Sequence, residues 1–176
     1  MQRFAPPEPT QLAGESRQLL AQVKLELGSE PIMMRLLSHS PAALRGFLAL
    51  RQSLTQASLP LALRERIAIA VAAANECHCC AANHRHFGQR AGIPECELDA
   101  AAAATSDDPG AAAALRFTRA LVQSRGHVDD AELASMRAAG FDEAAIIEVV
   151  AVVSANMFAN FVNNLAQSIP DHFAAN

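Results

Sequence analysis

Along this chain no run alternates apolar with polar residues at period two, so β-strands have little to build on, while helix punctuation recurs throughout. Asp108-Pro109 reads as an N-cap followed by proline at the first helical position, and Ile93-Pro94 marks another start. Asp129 and Glu132 have the spacing of a capping box, and Gly140 stands where the short helix after them should end. These signals predict helices near 10–27, 31–38, 41–56, 61–75, 77–91, 95–105, 109–125, 130–139 and 142–168. Residues 1–9, with Pro6, Pro7 and Pro9, read as an extended N-terminal arm, and 10–176 as a single all-α domain. Two of the helices are not simply amphipathic. Residues 61–75 are charged only at Arg64, Glu65 and Arg66 and apolar afterwards, and residues 144–162 are apolar on nearly all sides. Such a helix is either central or shared with a second subunit. For a chain this short the expectation is subunit contact, because burial on every side uses more neighbours than a small domain supplies.

Composition narrows the function classes. A chain of 176 residues with 51% hydrophobic and 18% charged positions has a real core and suits one domain. Fourteen basic against eighteen acidic residues give a net charge of −4, which argues against a nucleic-acid partner, since that would need clustered Lys and Arg. The apolar stretch 144–162 is broken by Glu148, Ser154, Asn156 and Asn160, so a membrane partner is not expected either. The opening MQRFAPPEPTQ has no apolar core of a secretory signal, and the expected location is the cytoplasm. There is no Gly-rich phosphate loop, no G-x-S-x-G elbow and no flavin or nicotinamide fingerprint, so no cofactor is expected.

The cysteines change the picture. Cys77, Cys79 and Cys80 sit together, with Cys96 apart, an arrangement that reads as catalytic or metal-binding rather than as a disulfide framework. Cys77 and Cys80 are three apart, so on a helix they share a face, at a spacing that allows a disulfide with little backbone movement. His84 follows Cys80 by four residues on that same face. Asn75 and the turn before the motif put Cys77 near a helix N-terminus, where unpaired amides favour a thiolate. A helix end alone is not enough. Lowering a thiol pKa by about 2 units takes roughly 2.7 kcal/mol, whereas a helix dipole supplies about 0.3–1 kcal/mol. His84, as a cation or a proton acceptor, is the second contributor at the right spacing, and it needs an orienting partner of its own. Glu65 fits if the chain turns near Asn75–Glu76 into an antiparallel helix pair, which would set it opposite residues just beyond His84. On one unbroken helix the twelve residues to Cys77 would hold Glu65 about 18 Å away. The plainer reading makes Glu65 a solvated carboxylate between Arg64 and Arg66.

The residues Leu59-Pro60-Leu61 through Gly92, with Glu65, Cys77-x-x-Cys80 and His84 at these intervals, resemble the alkylhydroperoxidase AhpD-like group of the carboxymuconolactone decarboxylase superfamily. The resemblance continues through Arg137-Ala138-Ala139-Gly140-Phe141 and the helix ending Asn160-Phe161-Val162-Asn163, covering roughly residues 40–168. It implies an AhpD-like helical bundle, assembly into a homotrimer or hexamer, and thiol-dependent reduction of a peroxide substrate. By motif position it makes Cys80 the peroxide-attacking thiol, Cys77 the resolving one, and His84 with Glu65 the proton relay, reset by an external dithiol or a protein electron donor. Two positions depart from the family pattern. The family's peroxidases place a histidine directly before the second motif cysteine, where this chain has Cys79 with His78 one residue earlier. A helix turns about 100° per residue, so His78 does not replace that side chain. The long helix ends in Asn163-Asn164 where the family commonly has Asn-Arg.

Rival readings use the same residues. Cys77, Cys80, His84 and a fourth group could make a zinc site, although three ligands on one helix fit a tetrahedron poorly. The superfamily also suggests a lactone decarboxylase-like enzyme, which needs no CxxC pair, and a non-catalytic redox sensor is a third alternative. Cys79 is expected to be a small buried residue, with a second resolving or reactive thiol as the alternative, and Cys96 to be structural. His39, His86, His127 and His172 have no ligand-like spacing. Asn156, Asn160 and Asn163 follow helical spacing in an apolar helix and are expected to hydrogen-bond across helices, or else to line a substrate pocket. Phe158 and Phe161 are expected in the core or an interface.

Overall fold

The elements begin where the capping chemistry places them. Asp108 accepts from the Ala111 N–H at 2.7 Å with Pro109 behind it, Asp129 from Glu132 N–H at 2.9 Å, and Asp142 from Ala145 N–H at 2.8 Å. Ser40 caps the helix that starts at Pro41. The computed structural model describes Arg3 and residues 5–171, so the expectation for His172 lies outside the described residues. Among these the helices are α1 (Gly14–Leu27), α2 (Ile32–Leu37), α3 (Pro41–Leu54), α4 (Leu61–Ala74), α5 (His78–Arg90), α6 (Glu95–Ala102), α7 (Pro109–Gln123), α8 (Asp130–Ala138) and α9 (Glu143–Ala166), with no strand. The fold is all-α, a helical bundle, as the punctuation predicts.

The N-terminus departs from expectation in one respect. The first helix begins at Gly14 rather than near residue 10, because Pro9–Gln11 forms a 3-10 turn and Leu12 leaves it extended. The arm is docked: the Arg3 N–H donates to the Ala166 carbonyl at 2.9 Å, and His39 Nε2 lies 3.0 Å from the Ala5 carbonyl.

The reading of residues 61–75 as a subunit-contact helix is corrected. Helix α4 is central within this one chain, with α5, α6, α7 and α9 packed around it, and Ile67 through Ala72 are all buried. Ala68, Ala70 and Ala72 have so little side chain that neighbours approach α4 from every side, so a small domain does enclose it. The main core joins α4 to α6, α7, α8 and α9 through Ile67, Leu98, Leu115, Phe117, Met136 and Val149. A second core, around Val23, Met34 and Leu44, ties α1, α2 and α3 to Ala159 of α9. Helix α9 buries one face in both cores and leaves Ile147, Phe158, Phe161 and Leu165 exposed on the other. By length and composition alone it could cross a bilayer, at a mean hydropathy of 1.9 with 33% of that window buried.

Two positions set how α5 meets its neighbours. Glu76 adopts a left-handed conformation (φ 52°), and the Cys77 N–H returns to the Ala72 carbonyl at 2.8 Å, so one helix reverses into the next across Asn75, Glu76 and Cys77. Gly88 lets α5 pass close to α6 beside α4: a Cβ there would sit 2.7 Å from Leu98 Cδ2 and 4.0 Å from Glu65 Cβ.

Candidate active site

The reversal at Glu76 lays α5 back along α4, with Cys77 and Cys80 at the turn and His84 further along, facing Glu65. Cys77 is the N-cap of α5 and Cys80 lies in its first turn, so both sulfurs sit beside the unpaired amides of a helix start. The cysteines form a small apolar cluster with Ala72, closed by Ile32 and Ala81. The Cys77 thiol donates to Cys80 Sγ, with the two sulfurs 2.7 Å apart. Both are free cysteines and both are buried.

Glu65 does face α5. Its Oε2 lies 2.7 Å from His84 Nδ1, with side chains 15% and 24% exposed. The plainer reading of Glu65 as a solvated carboxylate between two arginines does not hold, because the three neighbours point three ways. Arg64 Nη1 is taken by the Leu54 carbonyl, and Arg66 Nη2 reaches Glu97 on α6 at 3.1 Å. With Nδ1 engaged, Nε2 is the ring nitrogen left to exchange a proton with a thiol or substrate. No hydrogen bond links the His84 ring to Cys80 among the described residues; His84 acts on that sulfur through its charge.

Cys80 is the acidic thiol of the pair. Its pKa is lowered to about 6, first by the hydrogen bond from Cys77, then by Asn163 donation, the His84 charge and Asn160, against the opposing effect of burial. Cys77 moves the other way, held above the ordinary thiol range by its bond to Cys80 and by burial. The two shifts belong to the pair, which shares one proton, and the Asn163 donor favours the negative charge on Cys80. Cys79, in the position where the resemblance expects histidine, is buried and pushed up to about 12 by burial and by the charges of Cys80 and Asp171. It is a small buried thiol, as its sequence position suggests. His78 is exposed and does not replace the missing ring.

Asn163 bonds across helices, as its spacing predicts, and its partner is the thiol itself. Its Nδ2 donates to Cys80 Sγ at 3.2 Å from α9, 83 residues away in sequence. The signal was the run of amides at helical spacing, but nothing in the sequence told which of them met the thiol. Asn160 does bond across helices, accepting from Asn75 Nδ2 at 3.0 Å. Asn156 does not, since its Nδ2 turns back to the Val152 carbonyl of its own helix at 2.9 Å. Asp171, which was unanticipated, accepts from the Ile32 N–H at 2.8 Å and from Asn83 Nδ2 at 2.9 Å, which ties the chain after α9 to α2 and α5 beside Cys79. Cys96, expected to serve packing, is exposed on α6, and His127 is exposed as well. His86 contacts the Phe87 ring. Phe158 stacks on Phe47, ring centres 5.7 Å apart, and Phe161 is exposed.

The zinc reading finds no support in the geometry: among the described residues no three His, Cys, Asp or Glu side chains converge as metal ligands. What the arrangement offers is a thiolate with a thiol in contact, two buried amides and a carboxylate-oriented imidazole.

Residues 41–123, the segment that carries this set apart from Asn160, Asn163 and Asp171, match the Carboxymuconolactone decarboxylase family. No curated protein matches the chain. Among solved structures it is similar to an alkylhydroperoxidase AhpD core, an uncharacterized peroxidase-related protein from Ralstonia eutropha JMP134, at 24% identity and a TM-score of 0.86 over 97% of this chain and 93% of that one. A peroxidase-related protein from Silicibacter sp. TM1040 superposes with a TM-score of 0.84 at 18% identity, covering 97% and 92% of the two chains. The debrominase Bmp8 does so with 0.79 at 22% identity, covering 97% and 92%. Residues 41–123 are thus a carboxymuconolactone decarboxylase family segment, and the chain as a whole has the fold of these AhpD-like structures.

Proposed function

We propose that this protein is a thiol-dependent hydroperoxidase with an accompanying disulfide-reductase cycle, in which Cys80 attacks and Cys77 resolves. The observation that carries the reading is the charge state of one sulfur: Cys80 accepts hydrogen bonds from Cys77 and Asn163 and has its pKa lowered to about 6, beside a Glu65–His84 pair. A thiolate at neutral pH is the nucleophile that an O–O bond requires. Cys80 Sγ takes the terminal oxygen of the hydroperoxide, the O–O bond breaks, and the departing alkoxide takes a proton from His84, which Glu65 holds in place. The product on Cys80 is a sulfenic acid. The Cys77 sulfur then displaces its hydroxyl, forming the Cys77–Cys80 disulfide and releasing water. A dithiol, small or carried by a partner protein, is oxidised in turn as it restores both thiols. The reading includes association of copies of the chain. Ile147, Ala151, Ser154, Phe158, Phe161 and Leu165 repeat at alternating four- and three-residue steps along the open face of α9, the spacing of a seam between like helices.

Consumption of an organic hydroperoxide with a dithiol donor, followed alongside mass spectrometry of the Cys77–Cys80 peptide, tests the reading. Turnover that passes through this disulfide and is lost in Cys80→Ser supports it. Turnover that survives Cys80→Ser overturns it, and one equivalent of disulfide without turnover replaces it with a redox sensor. A brominated pyrrole, the class of ligand bound by the debrominase neighbour in its C82A form, belongs in the same assay. Preferential loss of bromide would exchange the peroxide for a halogenated substrate. Sedimentation of the full chain reads the assembly.

A further inference from the structure

Asn160 and Asn163 lie about one turn apart on the side of α9 that meets α5, and apolar packing does not explain them. Both are almost fully buried, at 0% and 4% exposure. A chain of hydrogen bonds fixes which end of the Asn160 amide faces the sulfur. The Val71 carbonyl can only accept, so the Asn75 atom 3.0 Å from it is the amino nitrogen. That nitrogen is also 3.0 Å from Asn160, which must therefore present its carbonyl oxygen there. The Asn160 Nδ2 is left on the Cys80 side, where it helps to hold the thiolate, yet it has no partner at hydrogen-bonding distance. Asn163 is fixed by its own contact: Nδ2 donates to Cys80 Sγ at 3.2 Å, and its Oδ1 has no partner. One unmatched donor and one unmatched acceptor thus flank the same buried sulfur. Buried polar atoms are costly to leave unmet. A hydroxyl group on that sulfur would satisfy both, since its oxygen accepts and its hydrogen donates.

We propose that Asn160 and Asn163 receive the hydroxyl group that a hydroperoxide transfers to Cys80, Asn160 Nδ2 donating to its oxygen and Asn163 Oδ1 accepting its hydrogen. The inference rests on the peroxide reading above and names what the site recognises, a terminal O–OH group as in an alkyl hydroperoxide or hydrogen peroxide; a dialkyl peroxide lacks the hydrogen. As the S–O bond forms and the O–O bond breaks, two electrons leave the sulfur and the alkoxide is protonated by the His84 imidazolium. The transferred hydroxyl stays between the two amides as part of the sulfenic acid. It leaves as water, with the proton of the Cys77 thiol, when the S–S bond forms. The same two contacts act on the transition state and on the intermediate, which is where fixed donors accelerate a reaction.

The test uses the full chain carrying Cys77→Ser, so that the sulfenic acid persists and is trapped on the Cys80 peptide by dimedone. Into it go Asn160→Leu, which is apolar, and Asn160→Asp, which keeps the shape and the bond to Asn75 and reports even if the leucine variant fails to fold. Each protein is compared on the pH plateau of its thiolate absorbance at 240 nm, with cumene hydroperoxide and with iodoacetamide, which alkylates the sulfur without delivering a hydroxyl. Oxidation is expected to slow by about tenfold or more in both variants, with alkylation held within about twofold. Equal loss in both reactions, or no loss of oxidation, overturns the amide receptor. If the Cys77→Ser parent is alkylated but not oxidised by any hydroperoxide, the peroxide reading itself fails. A parent that oxidises while its variants keep pace sinks the amide receptor alone.

Discussion

Glu65 and Arg66 are neighbours on one turn of α4, and each holds an ion pair with a different helix. The Arg66 pair is crowded on its carboxylate side. Its partner Glu97 accepts from Ser106 Oγ at 2.5 Å, from the Asp107 N–H at 2.9 Å and from Arg66 at 3.1 Å, and these contacts, Ser106 foremost, hold the carboxyl below its usual range. Such a carboxylate braces α4, α6 and the turn into α7. The Glu65 pair is unsaturated. It is one contact of 2.7 Å to a ring whose second nitrogen remains for chemistry, next to a sulfur that carries charge. The same two charge types, one residue apart, give a strut in one direction and, on the proposed reading, a proton carrier in the other, and the difference lies in how many partners each carboxylate has.

Exchanging these roles by mutation breaks or sharpens that contrast. The largest effect is expected at the open pair. His84→Gln should lower kcat/KM for hydroperoxide by about a hundredfold and Glu65→Gln by about tenfold or more, the range for loss of a positioned acid–base group. The melting temperature should barely move, so stopped-flow turnover and calorimetry on the same samples separate the two. At the closed pair the pattern inverts. Glu97→Gln should cost about 2 kcal/mol and lower Tm by about 4–8 °C, with kcat unchanged. A folded pKa held below the unfolded one gives stability that is present above the unfolded value and lost as the pH falls through the folded one. The advantage of the wild type over Glu97→Gln should therefore shrink on acidification, as denaturant melts at several pH values would record. Equal effects of Glu65→Gln and Glu97→Gln on both readouts would erase the distinction.

A smaller effect is set by the thiol. The rate of Cys80 modification should rise through a pH of about 6 and then level, tracking its thiolate absorbance. Because the folded pKa lies below the unfolded one, Cys80 contributes stability that grows between about 6 and 9 and is lost as the pH falls through 6. Cys77, shifted upward, keeps its contribution below the unfolded thiol value and loses it only in more alkaline solution. Smallest of all is Gly88→Ala. A methyl there meets fully buried Leu98 at 2.7 Å and lies beside Glu65, between the two pairs. The gain of about 1 kcal/mol in helix propensity opposes an overpacking cost of about 1–3 kcal/mol. A net loss near 1 kcal/mol with a severalfold lower rate is the expected outcome; a stabilised variant with full activity would show that this contact does not set how closely α5 packs on α6.

Much of the fold was legible because its boundaries are written in residues with strong local preferences. Asp108, Pro109, Asp129 and Gly140 act within a few residues of themselves, and each stands at the end of a helix as read. The Glu65–His84 contact was legible for the same reason, since a sharp turn at Asn75–Glu76 joins two short helices and leaves few ways for them to face each other. What was not legible depends on how helices rotate about their own axes. Because α9 is apolar nearly all round, its sequence does not say which face meets α5, so the amides at 156, 160 and 163 looked alike, yet one bonds its own helix and one the Cys80 sulfur. The central place of α4 was misread because alanine looks merely neutral in a pattern, whereas in three dimensions its lack of bulk is what admits four neighbours.

The handover from α4 to α5 takes only Asn75, Glu76 and Cys77, with Glu76 left-handed at its pivot. So short a joint behaves like meshed gear teeth. Adding a single residue there would swing the CxxC helix by about 100° and carry Cys80 out of reach of Asn163 and the imidazole off its carboxylate. Descendants of this chain are free to lengthen the surface loops around it, while the count of residues from Glu65 to Cys77 has no slack to spend.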